Sequence, residues 1–390
     1  MRRVIAITFL NHFVSGALTL LIPLLLLSKN VNLADIGIVL SALPIVFLVA
    51  RLLLAALGDT IGWSHIFLLA NWPATLVSTL IYYAANSVPA FFAGKVFEGL
   101  KESSYWAVNR TAVFHLSPKK EGRAATLINA VIWLSTAVGS AAAGVGIAYL
   151  GFSSTLAVLA AVTACLGIPA AMLWKTGKVQ KKQKTNILAI MTPRGKSSTF
   201  WIVSIGLMFN SFAVYPLTTL LLPVFMSGQL GYDYITIGLY FMVYNLIASA
   251  VTMLSLKSPL NIVRVVILSG VGLFSTVFLA GSGLLFPGFL CALAFVRGYS
   301  IAYFEHSVAE VSKNSKNISV DIGWLHVPMR FAEFGSVLAS GFLVTAVGFA
   351  PVFAATGIAF VLFVSLCHKA LQTLGADKSG STVGLAPESP

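Results

Sequence analysis

Residues 89–110 read PAFFAGKVFEGLKESSYWAVNR. The stretch is apolar enough to enter a bilayer, yet it carries Lys95, Glu98, Lys101 and Glu102. At about 100° per residue, these four fall within an arc of roughly 120° on a helix. Ionisable side chains at membrane depth are costly and face a bundle interior or a wet cavity. The rest of the chain must supply what they face.

Of the 390 residues, 58% are hydrophobic and only 9% are charged. The mean hydropathy is +0.91. A soluble domain carries about a quarter charged residues. The composition therefore excludes a soluble enzyme with one anchor and predicts an all-α polytopic membrane protein. A membrane helix needs about 20 mainly apolar residues, and twelve segments qualify. They are about Val4–Ser28, Ile36–Leu57, Ile66–Asn86, Pro89–Ala112, Ala124–Leu150 and Ser153–Trp174, then Phe200–Met226, Ile235–Leu256, Val263–Leu285, Pro287–Val311, Ile322–Val347 and Ala350–Leu366. No small-residue cleavage site follows a short apolar region near Met1, so the first segment is expected to stay as a helix. Cys165, Cys291 and Cys367 lie far apart in apolar runs and read as small buried hydrophobes.

Orientation follows from the lysines and arginines between spans. Arg2, Arg3, the run Lys175–Lys184, Lys369 and Lys378 fall on the side of the N-terminus, whereas the opposite loops hold only Lys29. The formal charge of +13 thus reads as topology with both termini cytoplasmic in a cell membrane. Lipid headgroups are the expected partner of these charges, and nucleic acid is not.

The two halves are alike. Asn11-His12-Phe13 pairs with Asn210-Ser211-Phe212, and Thr19-Leu20-Leu21-Ile22-Pro23 with Thr219-Leu220-Leu221-Leu222-Pro223. Asp35-Ile36-Gly37 pairs with Thr236-Ile237-Gly238, Glu98-Gly99 with Arg297-Gly298, and Gly144 and Gly151-Phe152 with Gly341 and Gly348-Phe349. The offset stays at about 200 residues. Residues 1–174 and 200–368 are expected to be two pseudo-symmetric six-helix bundles. Residues 175–199 form a basic linker between them and 369–390 a small, polar, disordered tail. The interface of such repeats is the natural place for a midplane substrate site.

These features resemble the major facilitator superfamily over nearly the whole length, without identifying a subfamily. Gly58-Asp59-Thr60-Ile61-Gly62-Trp63-Ser64-His65 is similar to the family's loop motif between the second and third helices, with Thr60, Trp63 and Ser64 in place of basic residues. The resemblance implies that Asp59 and Gly62 belong to a gating loop that latches the two halves. Lys95-Val96-Phe97-Glu98-Gly99 resembles the fourth-helix motif, with Lys95 in place of arginine. The fifth helix has Gly139 and Gly144 but lacks the Gly-Pro pair of the antiporter motif. The third, sixth, ninth and twelfth segments, peripheral in the family, have no charge in their cores, whereas the fourth, tenth and eleventh do.

Two readings of the buried charges stand side by side. At 1.5 Å per residue, Glu98 and Arg297 lie roughly 13 and 15 Å into their helices. His326, Arg330 and Glu333 share one face of the eleventh helix, with Pro328 between them. In the structural reading, Lys95 pairs with Glu98 and Arg330 with Glu333. Lys101 and Glu102 then complete a neutral network, Glu98 meeting Lys101 and Glu102 reaching Lys95 or Arg297. In the functional reading, Arg297 and Arg330 hold an anionic or zwitterionic solute, because guanidinium forks suit carboxylate and phosphate. Glu98 or Glu333 then carries a coupling proton. Asn11, His12, Asn129, Trp133, Asn210, Tyr240 and Tyr244 are further candidates for the cavity lining.

The expectation is a monomeric secondary transporter moving a small solute by alternating access, coupled to protons and without a cofactor. Proton-driven efflux of lipophilic compounds is the alternative. There is no GxxxxGK[ST] for nucleotide. No HExxH, no GxSxG and no metal-ligating cluster supports an enzyme, and the short loops offer no signalling domain for a sensor.

Overall fold

The computed structural model describes residues 1–116, 121–174, 196–255, 262–281, 283–312 and 318–381. Every regular element among them is helical. In the first half, α1 (Arg2–Ser28), α2 (Leu33–Ile61), α3 (Trp63–Ala84) and α4 (Val88–Leu116) are followed by α5 (121–150) and α6 (152–173). In the second half come α7 (Ser198–Gly228), α8 (Tyr234–Ser255), α9 (Ile262–Leu279), α10 (Phe286–Ser312), α11 (Ile318–Val347) and α12 (Phe349–Ser381). Among the described residues, nine helices are long and apolar enough to cross a membrane. One of these is the 47-residue stretch Leu127–Leu173, which contains two expected spans. The charged α4 is not among the nine, and Val263–Leu279 in α9 is a shorter apolar helix. Residues 175–195, most of the expected basic linker, lie outside the described residues.

The expected disordered tail is corrected in part. Helix α12 continues to Ser381, past Lys369 and Ala376. Ala, Leu, Lys and Gln are good helix formers, and no proline interrupts the chain between Pro351 and Pro387. Residues 382–390 lie outside the described residues.

The duplication seen in the sequence recurs in local chemistry. Asn32 caps α2, its side-chain oxygen accepting the Asp35 amide at 2.8 Å. Asp233 does the same before α8, accepting the Thr236 amide at 2.9 Å. Each cap satisfies one of the donors that a helix start leaves free. The Thr236 amide and hydroxyl hold the exposed Asp233 carboxyl below the usual carboxylate range. Gly151 and Gly348 end α5 and α11 with φ of 77° and 80°, a left-handed region that only glycine enters freely. Both α3 and α7 contain a π-helical turn, Phe67–Asn71 and Leu217–Leu221. Pro73 and Pro223 follow two residues later, and the widened turn accommodates the missing N–H.

Three apolar cores position the site. At the end of the bundle away from the termini, one core unites both halves, from Leu18–Leu26 and Ile36 to Leu220–Met226, Ile237 and Phe353. At the end carrying the termini there are two cores with no shared residue. One is built from Val4, Trp63, Tyr105, Ile128 and Leu173, the other from Phe200, Val203, Tyr303, Leu325 and Phe363. The halves thus share an apolar core at the far end, whereas among the described residues no apolar core joins them at the terminal end.

Glycines make that far-end contact close. A Cβ on Gly341 of α11 would sit 2.3 Å from the Leu33 carbonyl oxygen of α2, and one on Gly144 of α5 would sit 2.3 Å from the Tyr234 carbonyl oxygen of α8. Gly37 and Gly238 complete the two pairs. Small residues of this kind let helix backbones meet inside a membrane protein.

Candidate functional site

The α4 charges divide into two neutral pairs. Lys95 Nζ lies 2.8 Å from Glu98 Oε2, and the Tyr82 hydroxyl donates to the same oxygen at 2.7 Å. Lys95 and Glu98 are 3% and 2% exposed. Lys101 is wholly buried and pairs with Glu102 at 2.9 Å. Lys101 also donates to Ser15 Oγ, which donates to Glu102 Oε1 at 2.7 Å. The Trp106 indole N–H donates to Glu102 Oε2 at 3.2 Å. Neither expected link, Glu98 with Lys101 or Glu102 with Lys95 or Arg297, is the one formed. Lys101 lies one residue from Glu102 and turns toward α1, where Ser15 bridges the two.

In the second half, Arg330 Nη1 donates to Glu333 Oε2 at 2.6 Å, and Ser211 donates to Glu333 Oε1 at 3.3 Å. The Arg330 guanidinium also lies over the Phe47 ring of α2, 3.9 Å from its centre. Arg297, half-buried like Arg330, differs from Arg330 and the two buried lysines: among the described residues it has no carboxylate within ion-pair distance. Its polar contact is Ser300 Oγ at 3.4 Å. Glu98 and Arg297, which the duplication sets in equivalent positions, do not pair.

Among the described residues, three chambers stand out between the halves. The one nearest the far end, about 170 Å3, is lined by Lys95, Glu98, Glu102, Phe47, Tyr215 and Arg330 among others. The next, about 290 Å3, is lined by Arg297, Arg330, Glu333, Asn210, Ser211, Tyr215, Trp106 and Trp133 among others. The third, about 350 Å3, lies toward the terminal end and is lined by His12, Glu102, Trp106, Asn129, Ile132, Trp133, Thr136 and Met253 among others. Tyr215 and Arg330 border the first two chambers, and Trp106, Trp133, Ile301 and Glu305 border the last two. The third chamber lies between the two terminal-end cores.

The remaining candidates are placed as follows. Asn129 and Trp133 line the third chamber together, as their shared helix face predicts. His12 also lines it, with its ring edge-on to Tyr105 at 4.7 Å. Asn11 is fully buried within the first half, its side-chain oxygen accepting from Asn71 at 3.1 Å, away from the chambers. Asn210 lines the middle chamber, and its buried side-chain oxygen has no hydrogen-bond partner among the described residues. Tyr244 shares a small cavity of about 30 Å3 with Arg297 inside the second half. Tyr240 packs against Tyr232 and Phe286 at the far end, 5.6 and 6.3 Å between ring centres. His326 stacks on Phe304 at 5.6 Å rather than lining a chamber. Gly62 has φ of 99° and separates α2 from α3. The Asp59 side chain lies outside the described residues.

Phe47, Tyr82 and Ser15 were not singled out by the sequence, whereas Tyr215, expected with Asn210 in the cavity lining, borders the first two chambers. Nothing marks an isolated phenylalanine or serine in an apolar run. Trp106 had a legible signal, because it stands four residues after Glu102, on the same helix face.

The family model of the Major Facilitator Superfamily matches residues 4–307. A crystal structure of a mutant of the nucleoside transporter NupG superposes with a TM-score of 0.71 at 14% identity, covering 95% of this chain and 98% of that one. Identity that low shows a shared fold alone. No curated protein matches. The fold and the chambers between its halves are those of a multi-pass secondary transporter, not an enzyme. The chain belongs to the major facilitator superfamily.

Proposed function

We propose that the protein carries a small organic anion across the cell membrane by alternating access, coupled to protons and working as a monomer. The observation that carries this reading is Arg297, a cation that has no carboxylate partner among the described residues and borders a chamber between the halves. A guanidinium left uncompensated in a low-dielectric site favours an anionic ligand. Four residues along α11 from His326, Arg330 is bound to Glu333 and borders the same chamber. An arriving anion competes for Arg330, Glu333 loses its partner, and a proton from water takes the vacated place. Substrate and proton then move together.

Both termini are placed in the cytoplasm, where the basic loops belong. The joined far end and separate terminal-end cores then correspond to an inward-facing state. One chain encloses all three chambers, which suits a monomer.

Uptake and counterflow in proteoliposomes test the proposal. A pH gradient, acid outside, is expected to drive accumulation of a bound organic acid. Glu333→Gln is expected to abolish that stimulation while retaining counterflow. Gradient-driven accumulation by Glu333→Gln would remove it as the coupling group. Transport of lipophilic cations alone would favour efflux of such compounds instead.

A further inference from the structure

We infer that the substrate is a monoanion with an aromatic ring, the ring held by the first half and the charge by the second. This rests on the anion reading above and narrows it. The two larger chambers share Trp106 from α4 and Trp133 from α5, both in the first half. The opposite wall is α10, which contributes Arg297 and Ile301. Trp106 is a prepared surface: its N–H is fixed on Glu102 at 3.2 Å, and its ring meets His12 edge-on at 6.0 Å. Two indoles that line one cavity favour a flat π-system over an aliphatic body of equal size.

The charge pattern excludes a zwitterion. Glu333 is held by Arg330 and Ser211 before the anion arrives and is neutralised by the coupling proton once Arg330 turns away, so it offers no charge to an ammonium group. Glu305, the other carboxylate bordering the chamber, stands eight residues after Arg297, about 12 Å along the helix. An α-ammonium group, two bonds from its carboxylate, does not reach from one to the other. An aromatic monoanion instead satisfies Arg297 while touching both halves. Binding it draws the separated terminal-end cores together, a contact that no ligand seated on one half provides.

Calorimetric titration of the purified full-length protein tests this with five probes: 3-phenylpropionate, 3-cyclohexylpropionate, hexanoate, phenylalanine and uridine. 3-Phenylpropionate is expected to bind about three- to tenfold tighter than 3-cyclohexylpropionate, from the stacking preference beyond buried area. Phenylalanine and uridine are expected to bind at least tenfold more weakly. Trp133→Leu and Trp106→Leu should each bring the ratio between the two ring acids toward one, with thermal midpoints confirming intact folds. Equal binding of the two ring acids by the unaltered protein overturns the aromatic assignment and leaves the anion reading standing. Phenylalanine or uridine binding as tightly as 3-phenylpropionate overturns the monoanion assignment. Failure of all three acids to bind overturns the anion reading itself.

Discussion

The guanidinium of Arg330 lies 3.9 Å from the centre of the Phe47 ring, and the two residues belong to opposite halves. The same arginine holds Glu333 and borders two chambers. A stacked cation of this kind is worth about 0.5–2 kcal/mol. It therefore ties the halves together midway along the crevice, just below the joined far end.

Replacing Phe47 with leucine removes the ring and keeps an apolar side chain. The far end is expected to open more often, by roughly 2- to 30-fold, the equilibrium equivalent of that energy. Thr19 borders the far-end chamber. Its cysteine substitution, in a chain with Cys165, Cys291 and Cys367 changed to alanine, reports the opening through reaction with a membrane-impermeant maleimide. An unchanged rate would assign Phe47 to packing alone.

Gly341 and Gly144 set the approach of the halves at the far end. Gly341→Leu has no room beside the Leu33 carbonyl oxygen. It is expected to hold the far end apart and slow counterflow at least tenfold. On the same helix, a Cβ at Gly335 meets nothing within 4 Å. Gly335→Ala should leave counterflow within about twofold while stabilising the helix by up to about 1 kcal/mol. The comparison of the two rates is the measurement.

The Lys95–Glu98 pair is almost fully excluded from solvent. Glu98→Gln strands the Lys95 charge, a change that costs about 3–5 kcal/mol in buried pairs. Changing both residues together, Lys95→Met with Glu98→Leu, is expected to cost less than the single change. Thermal midpoints of the purified variants decide it, and a double variant less stable than Glu98→Gln would contradict the pairing.

Arg297 and Arg330 should behave oppositely on removal. Arg297→Gln takes away a cation with no carboxylate partner, so the thermal midpoint is expected to hold or rise. Anion binding should fall by roughly 10- to 150-fold, the loss of a charge-assisted bond worth about 1.5–3 kcal/mol. Arg330→Gln leaves Glu333 buried with Ser211 as its other partner, and the midpoint should drop. Titration and thermal unfolding of both variants give the four values needed.

Much of this arrangement was legible in the linear sequence. Hydrophobic run length predicted the membrane helices, because a bilayer cannot hydrogen-bond a bare backbone and forces long apolar segments. The repeat of about 200 residues foretold paired features that the structure shows as matched caps at Asn32 and Asp233 and matched turns at Gly151 and Gly348. Charges spaced i, i+3 on one helix, Lys95 with Glu98 and Arg330 with Glu333, could be paired by spacing alone, since a helix brings those positions together.

Which charge stays alone was not legible. Seven ionisable residues nearly cancel in the sequence, and several pairings are equally consistent with their spacing. Only the packing of α4 against α1 turns Lys101 onto Ser15 and Glu102, and only the placement of α10 leaves Arg297 bordering a chamber with, among the described residues, no carboxylate at ion-pair distance from it. The meeting of Phe47 with Arg330 is likewise a contact between residues 283 positions apart in the sequence. Helix periodicity is a property of neighbours in the chain, so the sequence determined which residues share a face. What each face meets depends on how separate helices are oriented and packed, and that was decided by the tertiary structure.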